Sequence, residues 1–114
     1  MSRHDDRISM RQMLDHAKEA VAMIQGKSKS DLFQERVLQL ALTRLAEIVG
    51  EAAGRVSEQT RALHPDVPWP KIIGLRNRII HGYDIVDYDI LWNVIADHIP
   101  PLIGQLKRIL GDED

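Results

Sequence analysis

The sequence predicts an all-α fold, a single domain over residues 1–114 built as an antiparallel bundle of four to five helices. Three observations predict it. Apolar residues recur at steps of three and four over long stretches, the pattern of a helix with one buried face. Aromatic residues are scarce, with one Phe, two Tyr and two Trp, whereas strands draw on aromatics to cover a pleated surface. Short polar or proline-rich links separate the stretches, and short links leave successive helices antiparallel. A chain of 114 residues encloses one hydrophobic core and is too short for two.

The first helix is expected from Asp5 to Gln25, where Ile8, Met10, Met13, Leu14, Ala17, Val21 and Ile24 fall on one face and Gly26 supplies a C-terminal stop. A second begins at Asp31, which forms a capping box with Gln34, and its apolar stripe (Leu32, Phe33, Val37, Leu40, Ala41, Leu45, Ile48, Ala52) continues to Val56 as one long element. Gly50 and Gly54 stand four apart within it beside Ala52 and Ala53, and small residues at that spacing let another backbone come close. The alternative is that the helix simply ends at one of these glycines.

His64 to Pro70 is a loop, because Pro65, Pro68 and Pro70 remove donors and force extended predecessors. A short third helix follows from Pro70 to about His81, with Gly82 as its stop, and Tyr83 to Val86 connect onward. The last helix covers roughly 88 to 110 with Asp87 or Asp89 as its N-cap, and Pro100-Pro101 inside it should bend it near His98.

Composition narrows the function. There is no cysteine, so thiolate metal sites and thiol nucleophiles are excluded, and a reducing interior suits the chain. The charged N-terminus and the lack of any apolar run near ~18 residues predict no membrane association and a cytoplasmic location. With a formal net charge of −2, contact with nucleic acid must be local rather than driven by the whole surface. The tail Gly111-Asp112-Glu113-Asp114 reads as a solvated acidic end.

Chemistry concentrates at Arg76-Asn77-Arg78-Ile79-Ile80-His81-Gly82-Tyr83. Guanidinium pairs two-pronged with phosphate oxygens, and imidazole moves protons near neutral pH. Five helical residues turn through about 140°, so Arg76 and His81 meet only if the helix ends and one side chain swings; Gly82 supplies that ending. His81 would then sit in the last helical turn, beside unpaired carbonyls that favour its charged form. Spacing alone is a weak signal, since Arg11 and His16 repeat it on what reads as solvated helix surface. By residue chemistry alone Tyr83 is better read as a buried aromatic stapling the loop. Glu47 and Glu51, one turn apart, could orient the guanidiniums but read more simply as an exposed acidic face, Trp69 and Trp92 read as core or interface anchors, and His4, His64 and His98 receive no role.

Leu75 to Tyr83, together with Pro65, Pro68 and Trp69 before it and Val86, Asp87 and Trp92 after it, resembles the HepT-like branch of the HEPN superfamily, and Ile48 to Ala53 resembles that family's second-helix signature. The resemblance covers roughly residues 5 to 110. It implies a helical domain that forms a homodimer, bringing two copies of an Arg-x4-His-x-Tyr motif together. It further implies a toxin of a toxin–antitoxin system that cleaves RNA as a metal-independent endoribonuclease without a cofactor. The implied antitoxin is a small MntA-type nucleotidyltransferase that moves AMP from ATP onto the motif tyrosine. Carried onto this chain, Arg76 and His81 are the catalytic pair, Asn77 assists them, and Tyr83 accepts AMP; Arg78 is a further phosphate-binding candidate. Two rival readings remain: a non-catalytic nucleotide- or RNA-binding module that partners the transferase, and a structural dimer in which the motif is only a helix-end network.

Overall fold

The computed structural model describes residues 5–112, so His4 and the last two residues of the acidic tail lie outside it. The fold is all-α. Helix α1 (Asp6–Met23) is capped by Asp5, whose side chain accepts from the Arg7 amide, and its C-terminal turn closes at Gly26 with a positive φ of 75°. Its buried face, Met10, Met13, Leu14, Ala17 and Ala20, packs on α3 (Arg36–Gly54) and on α8 (Ile99–Leu110), and these three helices enclose the core. Burying each such Leu or Met contributes roughly 1.5–3 kcal/mol.

The single long second helix is corrected. It is two helices, α2 (Lys29–Gln34) and α3, broken at Glu35, whose extended backbone (φ −107°, ψ 103°) turns the chain. The capping box is formed by Ser28 and Asp31, each side chain bonding the other's main-chain N–H, rather than by Asp31 and Gln34. The break also divides the apolar stripe. Leu38, Leu42, Leu45, Ala46, Val49, Ala52 and Ala53 are buried, whereas Phe33, Val37 and Leu40 face outward. A short helix that sequence periodicity missed, α4 (Glu58–Leu63), follows; Ser57 caps it, and the Asp6 carboxylate ties Ser57 and Thr60 to the start of α1.

The two glycines of α3 differ. A Cβ on Gly50 would lie 2.9 Å from the Ile72 carbonyl oxygen, so the expected close crossing is here, against α5 (Trp69–Ile73). Gly54 has nothing within 4 Å and marks the helix end. Trp69 anchors the proline-rich loop in the core and donates its indole N–H to the His64 carbonyl at 3.0 Å.

The third helix is also corrected. It is interrupted at Gly74, giving α5 and α6 (Leu75–Ile79), and it stops before His81. Ile80-His81 form a two-residue strand, β1, paired antiparallel with β2 (Ile85–Val86) in the register Ile80 to Val86 and His81 to Ile85. The left-handed residue of this tight hairpin is Tyr83 (φ 62°, ψ 30°), not Gly82.

Asp87 caps α7 (Tyr88–Asn93), accepting from the Ile90 amide at 3.0 Å. Near His98, where the two prolines predict a bend, the chain runs through a π-helical turn over Val94–His98, in which the Ile99 amide donates to the Val94 carbonyl. Pro100 and Pro101 cannot donate to the preceding turn, and one extra residue in that turn moves them into the first turn of α8, where a missing N–H is tolerated. The acidic tail is not simply solvated: Asp112 forms a two-pronged ion pair with Arg11, which takes that arginine off the list of unengaged surface residues. Among the described residues no helix is long and apolar enough to cross a membrane.

Candidate functional site

The site is organised by two carboxylates contributed from outside the motif helix. Arg76, in the first turn of α6, is exposed, and its Nη1 pairs with Glu47 Oε2 of α3 at 2.5 Å. The Glu47 side chain is only 17 % exposed, against 54 % for Arg76, so the acid is the fixed member and the guanidinium the outward one. Glu51, one turn further along α3, pairs instead with Arg44 at 3.4 Å.

Arg76 and Asn77 share a groove of about 280 Å3 with Glu47, Glu51 and Gly50. The smooth floor of this groove follows from Gly50, whose missing side chain lets α5 and the start of α6 lie on α3. Arg78 points elsewhere. It lines a separate groove of about 230 Å3 with Lys71, Asp97 and His98, so the two arginines of the motif serve different surfaces.

His81 is not in a helical turn, and the carbonyl-end argument for its charge does not apply. It lies in extended backbone (φ −97°, ψ −178°) on β1. A carboxylate takes the place of the helix end: Asp87 Oδ2 is 3.5 Å from His81 Nε2. The Asp87 carboxyl titrates below the usual carboxylate range, chiefly because the Ile90 amide bonds it and further because His81 faces it, with partial desolvation opposing both. The hairpin between these residues carries Tyr83 at its tip. Its ring is fully exposed, at 101 % of the reference, which rules out the buried-staple role expected from residue chemistry alone. A left-handed conformation is uncommon for a bulky side chain and costs roughly 1–2 kcal/mol.

The sequence profile of the ribonuclease HepT-like family matches residues 13–109. The chain belongs to the HepT-like ribonuclease family. A protein of Caldanaerobacter subterraneus subsp. tengcongensis, provisionally named an RNase, is 39 % identical over 93 residues, 82 % of this chain and 83 % of that one. One from Thermococcus cleftensis, provisionally named ribonuclease HepT, is 30 % identical over 105 residues, 89 % of this chain and 96 % of its own. A third, from Methanocaldococcus jannaschii and again provisionally named an RNase, is 28 % identical over 109 residues, 96 % and 100 % of the two chains. No solved structure matches this HepT-like chain at a significant level.

Two carboxylates that the fold places beside motif side chains are given less weight by the sequence. Glu47 reads more simply as exposed acidic face, and Asp87 as a helix cap and part of the flanking family pattern. The overlooked signal for Asp87 is the segment Ile80 to Val86, two short apolar ends around Gly82-Tyr83-Asp84, which closes as a hairpin and returns Asp87 to the side of His81.

Proposed function

We propose that this protein is the toxin of a toxin–antitoxin pair, a metal-independent endoribonuclease acting as a homodimer. Arg76 and His81 are its catalytic pair and Asn77 assists. Tyr83 is the residue on which an MntA-type nucleotidyltransferase places AMP. The observation that carries the reading is the presence of two exposed motif side chains, a guanidinium and an imidazole, each beside a carboxylate from another element: Arg76 by Glu47 and His81 by Asp87.

In this reading an imidazole takes the proton of a ribose 2′-hydroxyl as its oxygen attacks phosphorus. Arg76 neutralises the charge growing on the phosphorane oxygens. The bond from phosphorus to the 5′-oxygen breaks, and that oxygen receives a proton from a second imidazole, leaving a 2′,3′-cyclic phosphate and a 5′-hydroxyl. Each chain offers one His81, and a dimer offers two. Support for a second copy comes from Leu40 and Ile85, exposed apolar side chains that border one groove with Glu47. Transfer of AMP joins the α-phosphorus of ATP to the Tyr83 phenol oxygen, releasing pyrophosphate and the phenol proton. Full exposure of Tyr83 suits such a modification, and the added anion would compete for the cations that hold RNA.

The test is cleavage of single-stranded RNA by the purified protein in EDTA. Activity in wild type, lost in both His81→Ala and Arg76→Ala at unchanged melting temperature, is expected; a folded wild type that binds ATP or AMP yet cuts nothing would favour the binding-module reading. Intact mass after co-expression with a cognate transferase should rise in AMP steps, and Tyr83→Phe should abolish the rise. A Tyr83→Phe protein still modified at another residue would remove Tyr83 from the scheme.

A further inference from the structure

The Asp87 carboxylate is held on both sides. Its main-chain N–H donates to the Ile79 carbonyl at 2.8 Å, closing the neck of the hairpin on a residue that is itself buried. Its Oδ1 accepts from the Ile90 amide at 3.0 Å, as the cap of α7. The remaining oxygen, Oδ2, is the one that meets His81 Nε2 at 3.5 Å. A side chain with one oxygen committed to a helix end cannot rotate away without unsatisfying that end.

We infer that Asp87 is a positioning residue for His81: its fixed carboxylate holds the Nε2 edge of the imidazole and leaves Nδ1 as the nitrogen that meets the substrate. This rests on the reading of His81 as the proton-transfer group. When the imidazole takes a proton, the cation forms beside a carboxylate already in place, so no group has to reorganise at that moment. The same geometry assigns separate tasks to the two acids around the motif, Glu47 fixing the guanidinium and Asp87 the imidazole. Asp87 is the better test case because asparagine caps a helix about as well as aspartate, so Asp87→Asn removes the charge and keeps the fold.

Two measurements separate this inference from the ribonuclease reading. The first needs no activity: the Asp87 carboxyl is titrated by carbon-detected NMR in wild type and in His81→Ala, and its midpoint should rise when the imidazole is removed. The second compares Asp87→Asn with wild type on single-stranded RNA, where kcat should fall about tenfold, less than the roughly 10²–10⁴-fold that a proton-transfer group itself contributes, with KM and melting temperature unchanged. A midpoint indifferent to His81 overturns the contact. An Asp87→Asn protein with wild-type kcat, or one whose loss tracks a lowered melting temperature and a raised KM, reduces Asp87 to a helix cap and overturns the positioning role. A midpoint that moves in a wild-type protein that cuts no RNA upholds the contact and sinks the ribonuclease reading instead.

Discussion

Gly50→Ala should destabilise the protein even though it improves helix propensity. In an open helix interior the substitution stabilises by about 1 kcal/mol. At Gly50 the new methyl would lie 2.9 Å from the Ile72 carbonyl oxygen and 3.7 Å from Leu75 Cβ. The nearer atom is backbone, and it belongs to a helix pinned by buried Trp69 and Ile72, so relief requires lifting α5 off α3 rather than turning a side chain. Overpacking of this kind costs roughly 1–3 kcal/mol, and a rigid neighbour puts the cost at the upper end. The net expectation is a loss of about 1–2 kcal/mol, or roughly 4–8 °C in melting temperature for a domain of this size. Gly54→Ala is the internal control, since nothing lies within 4 Å of its Cβ; it should be neutral or gain up to ~1 kcal/mol. The assay is thermal and urea unfolding of both variants beside wild type. If Gly50→Ala is as stable as Gly54→Ala, the close crossing of α3 and α5 is not what that glycine serves.

Ser28→Ala should cost about 1 kcal/mol in urea unfolding and Gln34→Ala almost nothing, because the capping box is Ser28 with Asp31. Tyr83→Gly should leave stability unchanged or raise it by up to ~1 kcal/mol, since the ring is exposed and the backbone left-handed; a loss larger than that in the same assay would mean the ring packs on something. Asp112 is held below the ordinary carboxylate value of 3.8 mainly by its hydrogen bonds from Arg11, and Asp87 mainly by the Ile90 amide. Both carboxylates therefore contribute stability that is fully present above that value and is lost as pH falls through their lower folded values. Asp112→Asn should flatten the acid side of a melting-temperature-against-pH curve, and the difference from wild type should shrink in high salt; an acid limb identical to wild type would contradict the assignment.

Some of this architecture was legible because it depends on local pattern. The face of α1 and its Gly26 closure, a start of α7 at Asp87 or Asp89 and the proline-driven irregularity before α8 all follow from the period of the apolar residues and from backbone chemistry within a few residues. The places that failed have a common cause. The apolar pattern runs without interruption from Leu32 to Val56, so nothing in it reports the extended backbone at Glu35. Ile79 and Ile80 suit a helix or a strand equally, and Gly82 resembles a helix stop as much as a hairpin tip. Short apolar runs of this kind are arbitrated by long-range packing.

The same division holds for the site. Sequence alone determined where guanidinium, imidazole and phenol stand along the chain, because they are properties of side chains and their order is covalent. Only the tertiary structure decided how each is held. Arg76 meets an acid 29 positions earlier on α3, His81 meets one brought back by a hairpin, Arg78 faces a different groove, and Tyr83 projects into solvent. These outcomes depend on helix crossings and on the direction of a turn, which set distances in space that spacing along a chain does not contain.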